Sequence, residues 1–115
     1  MLPKSFRLTE KYDYGTVRRF GRTISSPFFV VSIFKDEKNI DGQTRVGIII
    51  TNKIDKRATE RNRLKRMVNR YLYENFARFG KGYLIVFVVK SSMIGKKYEE
   101  VSFEFDKVLS KISFA

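Results

Sequence analysis

The residues best equipped for chemistry lie between positions 53 and 70, KIDKRATERNRLKRMVNR, where eight Lys or Arg side chains and two acids share eighteen residues. Their chemistry is anion binding. The planar forks of Arg61, Arg63, Arg66 and Arg70 suit phosphate oxygens, and Lys53, Lys56, Arg57 and Lys65 add point charges that steer a polyanion. Asn62 can donate and accept, which suits a directed contact or a helix-start bond. Arg61 has a second reading, as a stem packed on the fold that braces the helix start. Reactive groups are scarce by contrast. The chain has no His and no Cys, so the commonest general base and thiol nucleophile are missing. Asp36, Glu37 and Asp41 approach the spacing of a calcium loop but lack the full ligand set and the distal Glu, and read as a solvated turn. No pair among the other acids has the spacing of a two-metal nuclease site. The expectation is a binding protein without catalytic or metal-ligating residues of its own.

The cations must be positioned by a helix. Leu64, Met67, Val68, Tyr71, Leu72 and Phe79 form one apolar stripe at i, i+3, i+4, i+7 spacing. Asn62, Arg63, Arg66, Asn69 and Arg70 fall on the opposite arc, with Arg61 and Lys65 nearer its edges. The pattern starts near Ala58 or Thr59, and Thr59 is the expected cap. Cations therefore crowd the helix start, where the positive end of the dipole makes each exposed one cost about 0.3–1 kcal/mol. A helix chosen for stability alone would place acids there. Cations gathered with free helix amides make an anion site instead, and a nucleic-acid backbone rewards that multiplicity.

Composition points the same way. With 24 Lys plus Arg against 12 Asp plus Glu in 115 residues, the net charge is +12 and the pI about 10.1, in the range of nucleic-acid-binding domains. An apolar fraction of 43%, with 6 Tyr and 11 Phe, is enough for one packed core and excludes a disordered basic tail. The lack of Cys fits a reducing compartment, and a cytoplasmic location is expected. The N-terminal residues carry charge with no apolar run behind them, so no secretory signal is expected, and no span has the apolar length of a membrane helix. Binding flat on an anionic membrane would need an exposed apolar helix face, and here the core uses that stripe.

The remaining periodicities place a short helix over 9–19, with Tyr14 and Val17 on one side and Gly21 at its end. The runs 28–34, FFVVSIF, and 45–51, RVGIIIT, read as strands joined across Asp41-Gly42 into a hairpin with a long tip. Gly80-Lys81-Gly82 closes the basic helix. The run 83–89, YLIVFVV, is apolar throughout and so belongs in the middle of a sheet. A last helix covers 97–113, with Tyr98, Val101, Phe105, Val108, Leu109 and Ile112 on one face. One α+β domain over residues 1–115 follows, an α/β sandwich with helices on one side of a small sheet.

Arg61-Asn62-Arg63-Leu64-Lys65-Arg66, preceded by Lys56-Arg57-Ala58-Thr59-Glu60, closely resembles the RNR helix of the bacterial ribonuclease P protein component. Leu2-Pro3-Lys4 and Arg7-Leu8 resemble that family's opening, and Asp13-Tyr14 with Val17 and Gly21 its first helix. Arg45-Val46-Gly47 with Lys53, Gly82-Tyr83 through Lys90, and Tyr98-Glu99-Glu100 follow in the family's order. The resemblance implies the element order αβββαβα, the fold of the second domain of ribosomal protein S5, and a left-handed βαβ crossover, an exception to the usual hand. It also implies an endoribonuclease subunit whose chemistry is carried by a catalytic RNA. That RNA uses magnesium to remove the 5′ leader from precursor tRNA, and the protein binds it through the RNR helix. The partners implied are the ribonuclease P RNA and precursor tRNA, with no membrane and no protein partner required.

The family's leader cleft, between the first helix and the sheet, maps onto Tyr14, Arg18, Phe28, Val30 and Ser32. Phe28, Val30, Ser32 and Phe34 share one strand face. Tyr14 can stack on a leader base or pack on the core. Arg18 stands where some relatives carry a second Phe, with Phe20 nearby, which favours a more ionic contact. Ser32 replaces an aromatic and Asn52 a Lys. Two rival functions remain, a structural RNA-binding protein and an autonomous nuclease with an unfamiliar carboxylate site.

Overall fold

The computed structural model describes residues 11–35, 42, 44–50 and 57–112, with the backbone alone at 11–13. The hairpin tip with Asp36, Glu37 and Asp41, the predicted contacts Lys53 and Lys56, and the outer ends of the first and last helices lie outside the described residues. The elements are α1 (Lys11–Phe20), β1 (Arg22–Ser25), β2 (Phe29–Lys35), β3 (Arg45–Ile49), α2 (Ala58–Asn75), β4 (Tyr83–Val89) and α3 (Tyr98–Ser110). This is the α+β domain expected, in the order αβββαβα.

The four strands lie in the order β1-β2-β4-β3. β1 with β2 and β2 with β4 are antiparallel, while β3 and β4 are parallel. The expected hairpin between the second and third strands is therefore wrong, because β4 lies between them. Parallel neighbours cannot be joined by a tight turn, and α2 is the crossover that connects them. The apolar run of β4 does occupy the centre, with both faces buried as its composition requires.

Helices lie on both faces, which corrects the one-sided arrangement expected. Tyr83, Ile85, Phe87 and Val89 of β4 join Phe29, Val31 and Ile33 of β2 in a core with α2 and α3. Phe105 of α3 is its centre, stacked on Phe29 at 4.2 Å and on Tyr71 at 4.5 Å, with Phe87 edge-on at 5.2 Å. On the opposite face Leu84 and Val86 pack on Val17 of α1. Gly21 closes α1, its amide donating to the Val17 carbonyl at 2.9 Å. A Cβ there would sit 2.7 Å from the Ile33 carbonyl oxygen, so the close approach of α1 to β2 requires glycine.

The α2 stripe is buried as its spacing predicts, from Leu64 to Leu72, with Phe79 buried beyond the short 3-10 turn Phe76–Arg78. Asn69 departs from the expected outer arc. It is 6% exposed, and its Nδ2 donates to the Lys65 carbonyl at 3.0 Å, a bond back along the helix that satisfies the amide at the edge of the core. Thr59 does not cap α2. It is the second helical residue, and the cap position belongs to Arg57, whose side chain makes no capping bond. Tyr71 ties α2 to α3, its hydroxyl donating to Asp106 Oδ1 at 2.6 Å, while Arg78 donates to the same oxygen at 2.9 Å.

Candidate nucleic-acid interface

The cations of α2 divide into two groups. Arg63 is engaged inside the fold: Nη2 meets Glu60 Oε1 at 2.7 Å and Nη1 donates to the Lys96 carbonyl at 3.3 Å. The Glu60 carboxyl is held below its ordinary range, first by its hydrogen bond from Arg63. Arg70 lies over the Tyr98 ring at 3.8 Å and donates through Nε to Glu74 Oε1 at 3.0 Å. Tyr98 completes the triangle, its hydroxyl donating to Glu74 Oε2 at 3.1 Å. Asn62, Lys65 and Arg66 are exposed and make no side-chain hydrogen bond or ion pair among the described residues. Arg57 is exposed at the helix start and Arg61 is half-buried.

The second candidate region is the α1 face of the sheet. Strand register aligns Gly47, Val86, Ser32 and Thr23 in one row and Ile49, Val88, Val30 and Ser25 in the next. α1 covers the first row. The Tyr14 ring lies on Gly47, where a Cβ would come within 2.4 Å of the phenol oxygen. Burial raises the Tyr14 hydroxyl's pKa, and its hydrogen bond at the Ile48 backbone opposes that rise. Ser32 is buried under the helix, 3.4 Å from the Thr23 hydroxyl. The second row is less covered: Ile49, Val88 and Val30 stay half-buried, with Ile49 and Val88 beside the cluster of Val17, Leu84 and Val86. The result is a trough with an apolar floor, Tyr14 on its wall and the exposed Arg18 on the same helix.

Phe28 does not join the trough. It precedes β2 and packs on the α2 and α3 core, with Lys96 Nζ 5.7 Å from its ring. Residue-by-residue reading also missed Lys90, which ends the trough by donating to Ser25 Oγ at 3.0 Å and the Ser26 carbonyl at 2.7 Å. Gly47 was within reach of that reading, because glycine inside a strand marks a close approach. Lys90 had no such signal, since its partners are more than sixty residues away.

Trough and basic face meet at one end of the sheet. Ile49 and Val88 are the last trough residues of β3 and β4. α2 begins beyond β3, and its Arg63 reaches Lys96 beyond β4. Among the described residues no helix is long and apolar enough to cross a membrane, and no three His, Cys, Asp or Glu side chains gather where they could hold a metal ion.

Residues 2–113 match the family model Ribonuclease P. A ribonuclease P protein component from Clostridium novyi (strain NT) is 28% identical over 100 residues, covering 87% of this chain and 87% of its own length. The RNase P protein of Thermotoga maritima superposes with a TM-score of 0.79 at 26% identity, over 93% of this chain and 97% of its own. That of Staphylococcus aureus superposes at 0.84 with 19% identity, over 96% and 98%, a likeness of fold.

Proposed function

The chain belongs to the ribonuclease P protein family, and from that premise we propose that it binds the catalytic RNA of the ribonucleoprotein through α2 and the single-stranded 5′ leader of precursor tRNA in the trough beside α1. It thereby promotes magnesium-dependent removal of the leader by the RNA, in the cytoplasm. The observation that carries this reading is the division of the α2 cations. Acids and carbonyls take up Arg63 and Arg70, whereas Asn62, Lys65 and Arg66 face outward with no bond among the described residues. Like charges four apart on a helix, as in Arg61 with Lys65 and Arg66 with Arg70, cost stability unless a polyanion comes to them.

The protein's work on this reading is positional. Lys65 and Arg66 hold backbone phosphates, with Asn62 as a directed contact and Arg57, Lys53 and Lys56 adding charge at the helix entry. The trough takes a flexible strand, with Tyr14 as the stacking ring and Arg18 and Lys90 as cationic ends. Magnesium is assigned to the RNA phosphates, as the family resemblance implies.

The test is 5′ cleavage of a precursor tRNA at low magnesium by a bacterial ribonuclease P RNA, with and without this protein, alongside protein alone. Stimulation only in the combined reaction is expected. Tight RNA binding without stimulation would make this a structural RNA-binding protein, and cleavage by protein alone a nuclease.

A further inference from the structure

Beyond Arg66, α2 carries a feature that phosphate binding does not use. Tyr73 is 64% exposed, an aromatic ring standing on the outer face of a helix whose other ring, Tyr71, is fully buried. It lies one and two turns from Asn69, Arg70 and Arg66, so all four share one side of the helix. These residues and Glu74 line a surface concavity of about 490 Å³, within the size range of small-ligand sites. One wall is preorganised. Arg70 is clamped between the Tyr98 ring and Glu74, and Tyr98 holds the other oxygen of that carboxylate. Glu74 stays ionised, but its bonds from Arg70 and Tyr98 offset its charge and weaken its repulsion of an approaching anion. Arg66 stands at the other end with no bond among the described residues.

A flat ring beside one free guanidinium and one fixed guanidinium matches a nucleotide: a π-face for the base and a cation for its phosphate. We propose that this concavity is a nucleobase site, in which an unstacked base of the partner RNA lies on the Tyr73 ring while Arg66 holds the adjoining phosphate. The inference rests on the RNA-binding reading above and extends it by a contact that is insensitive to salt. The neighbouring helix offers a contrast: Phe103 of α3 is 62% exposed, and among the described residues the one cation over its ring is Lys107, at 5.3 Å.

The chain has no Trp, so Tyr73→Trp makes a single-tryptophan reporter at the site. Titrated with an in vitro transcribed bacterial ribonuclease P RNA, Tyr73→Trp is expected to bind as the wild type does, with quenched fluorescence. Tyr73→Ala is expected to bind about 5- to 150-fold more weakly, the range of one lost base stack. Its dependence on salt is expected to be unchanged, whereas Arg66→Ala flattens that dependence. Phe103→Ala is the control and keeps full affinity, and circular dichroism confirms that each variant is folded. Wild-type affinity for Tyr73→Ala, with no quenching of Tyr73→Trp, overturns the proposal while leaving RNA binding intact. Loss of self-association by Tyr73→Ala in sedimentation velocity, with RNA affinity unchanged, also overturns it, assigning the face to a second copy of the chain. Failure of the wild type itself to bind removes the RNA-binding reading and this inference together.

Discussion

The two faces of the sheet are made by the same strands and are finished differently. On the α2 and α3 face, three aromatic rings close around Phe105, and Tyr83, Ile85, Phe87 and Val89 of β4 are all buried. On the α1 face, among the described residues, one helix covers one row of side chains and the next row stays half-buried. Aromatic area dominates the first face and holds the fold together. The second mixes valines with hydroxyls and a lysine, a surface suited to a ligand that is partly base and partly sugar-phosphate. On the reading proposed above, the leader takes the less tightly packed face, while α2 turns one side to the core and the other to the RNA.

The contrast breaks most readily at Phe105. Phe105→Ala should destabilise the protein by about 3–5 kcal/mol in urea unfolding, whereas Val88→Ala on the trough floor should cost about 1 kcal/mol. Similar losses at both positions would mean that the α1 face is as much a core as the other.

Gly47→Ala sharpens the comparison at the one point where the trough wall is tightly packed. The added methyl should cost about 1–3 kcal/mol by displacing the Tyr14 ring, and most of that cost should vanish in a Tyr14→Ala background. Additive losses would show that the ring is not what the methyl meets.

Within α2, Arg66→Ala should lower the slope of log affinity for the catalytic RNA against log salt by about one. Arg63→Ala should change the slope less and the melting temperature more, because its fork bonds to Glu60 and the Lys96 carbonyl. The reverse ranking would reassign the two arginines.

The smallest effect is expected with pH. Arg63 lowers the folded-state pKa of Glu60, so this pair stabilises the fold above the ordinary Glu pKa, and the contribution fades as pH falls through the depressed value. Glu60→Gln should therefore flatten the acid limb of a melting-temperature profile below about pH 5. Parallel acid limbs in variant and wild type would remove the pair from the stability account.

Much of this architecture is legible in the residues. YLIVFVV reads as a central strand from its length and unbroken apolar run, and the α2 and α3 stripes choose their buried faces. Strand pairing is not legible, because alternation locates β2 and β3 without saying that β4 slips between them. β1, with the short polar sequence RTIS, leaves no periodic mark beyond the order that the family resemblance supplies. α1 offers only Tyr14 and Val17, too few to choose a side of the sheet. The cation density of α2 is plain, and the Glu60 and Glu74 pairings follow from i, i+3 and i, i+4 spacing. The contacts from Lys96 to Arg63 and from Tyr98 to Arg70, which help set these two apart from Arg66, come from residues distant in the chain, and only folding brings them in.

The most direct test of the trough is the affinity of the reconstituted ribonucleoprotein for precursor and mature tRNA, with wild-type protein and with Tyr14→Ala. Tyr14→Ala is expected to weaken precursor binding by about 1–3 kcal/mol and to leave mature tRNA binding unchanged. Equal losses for both, or none for either, would contradict the leader role of the trough.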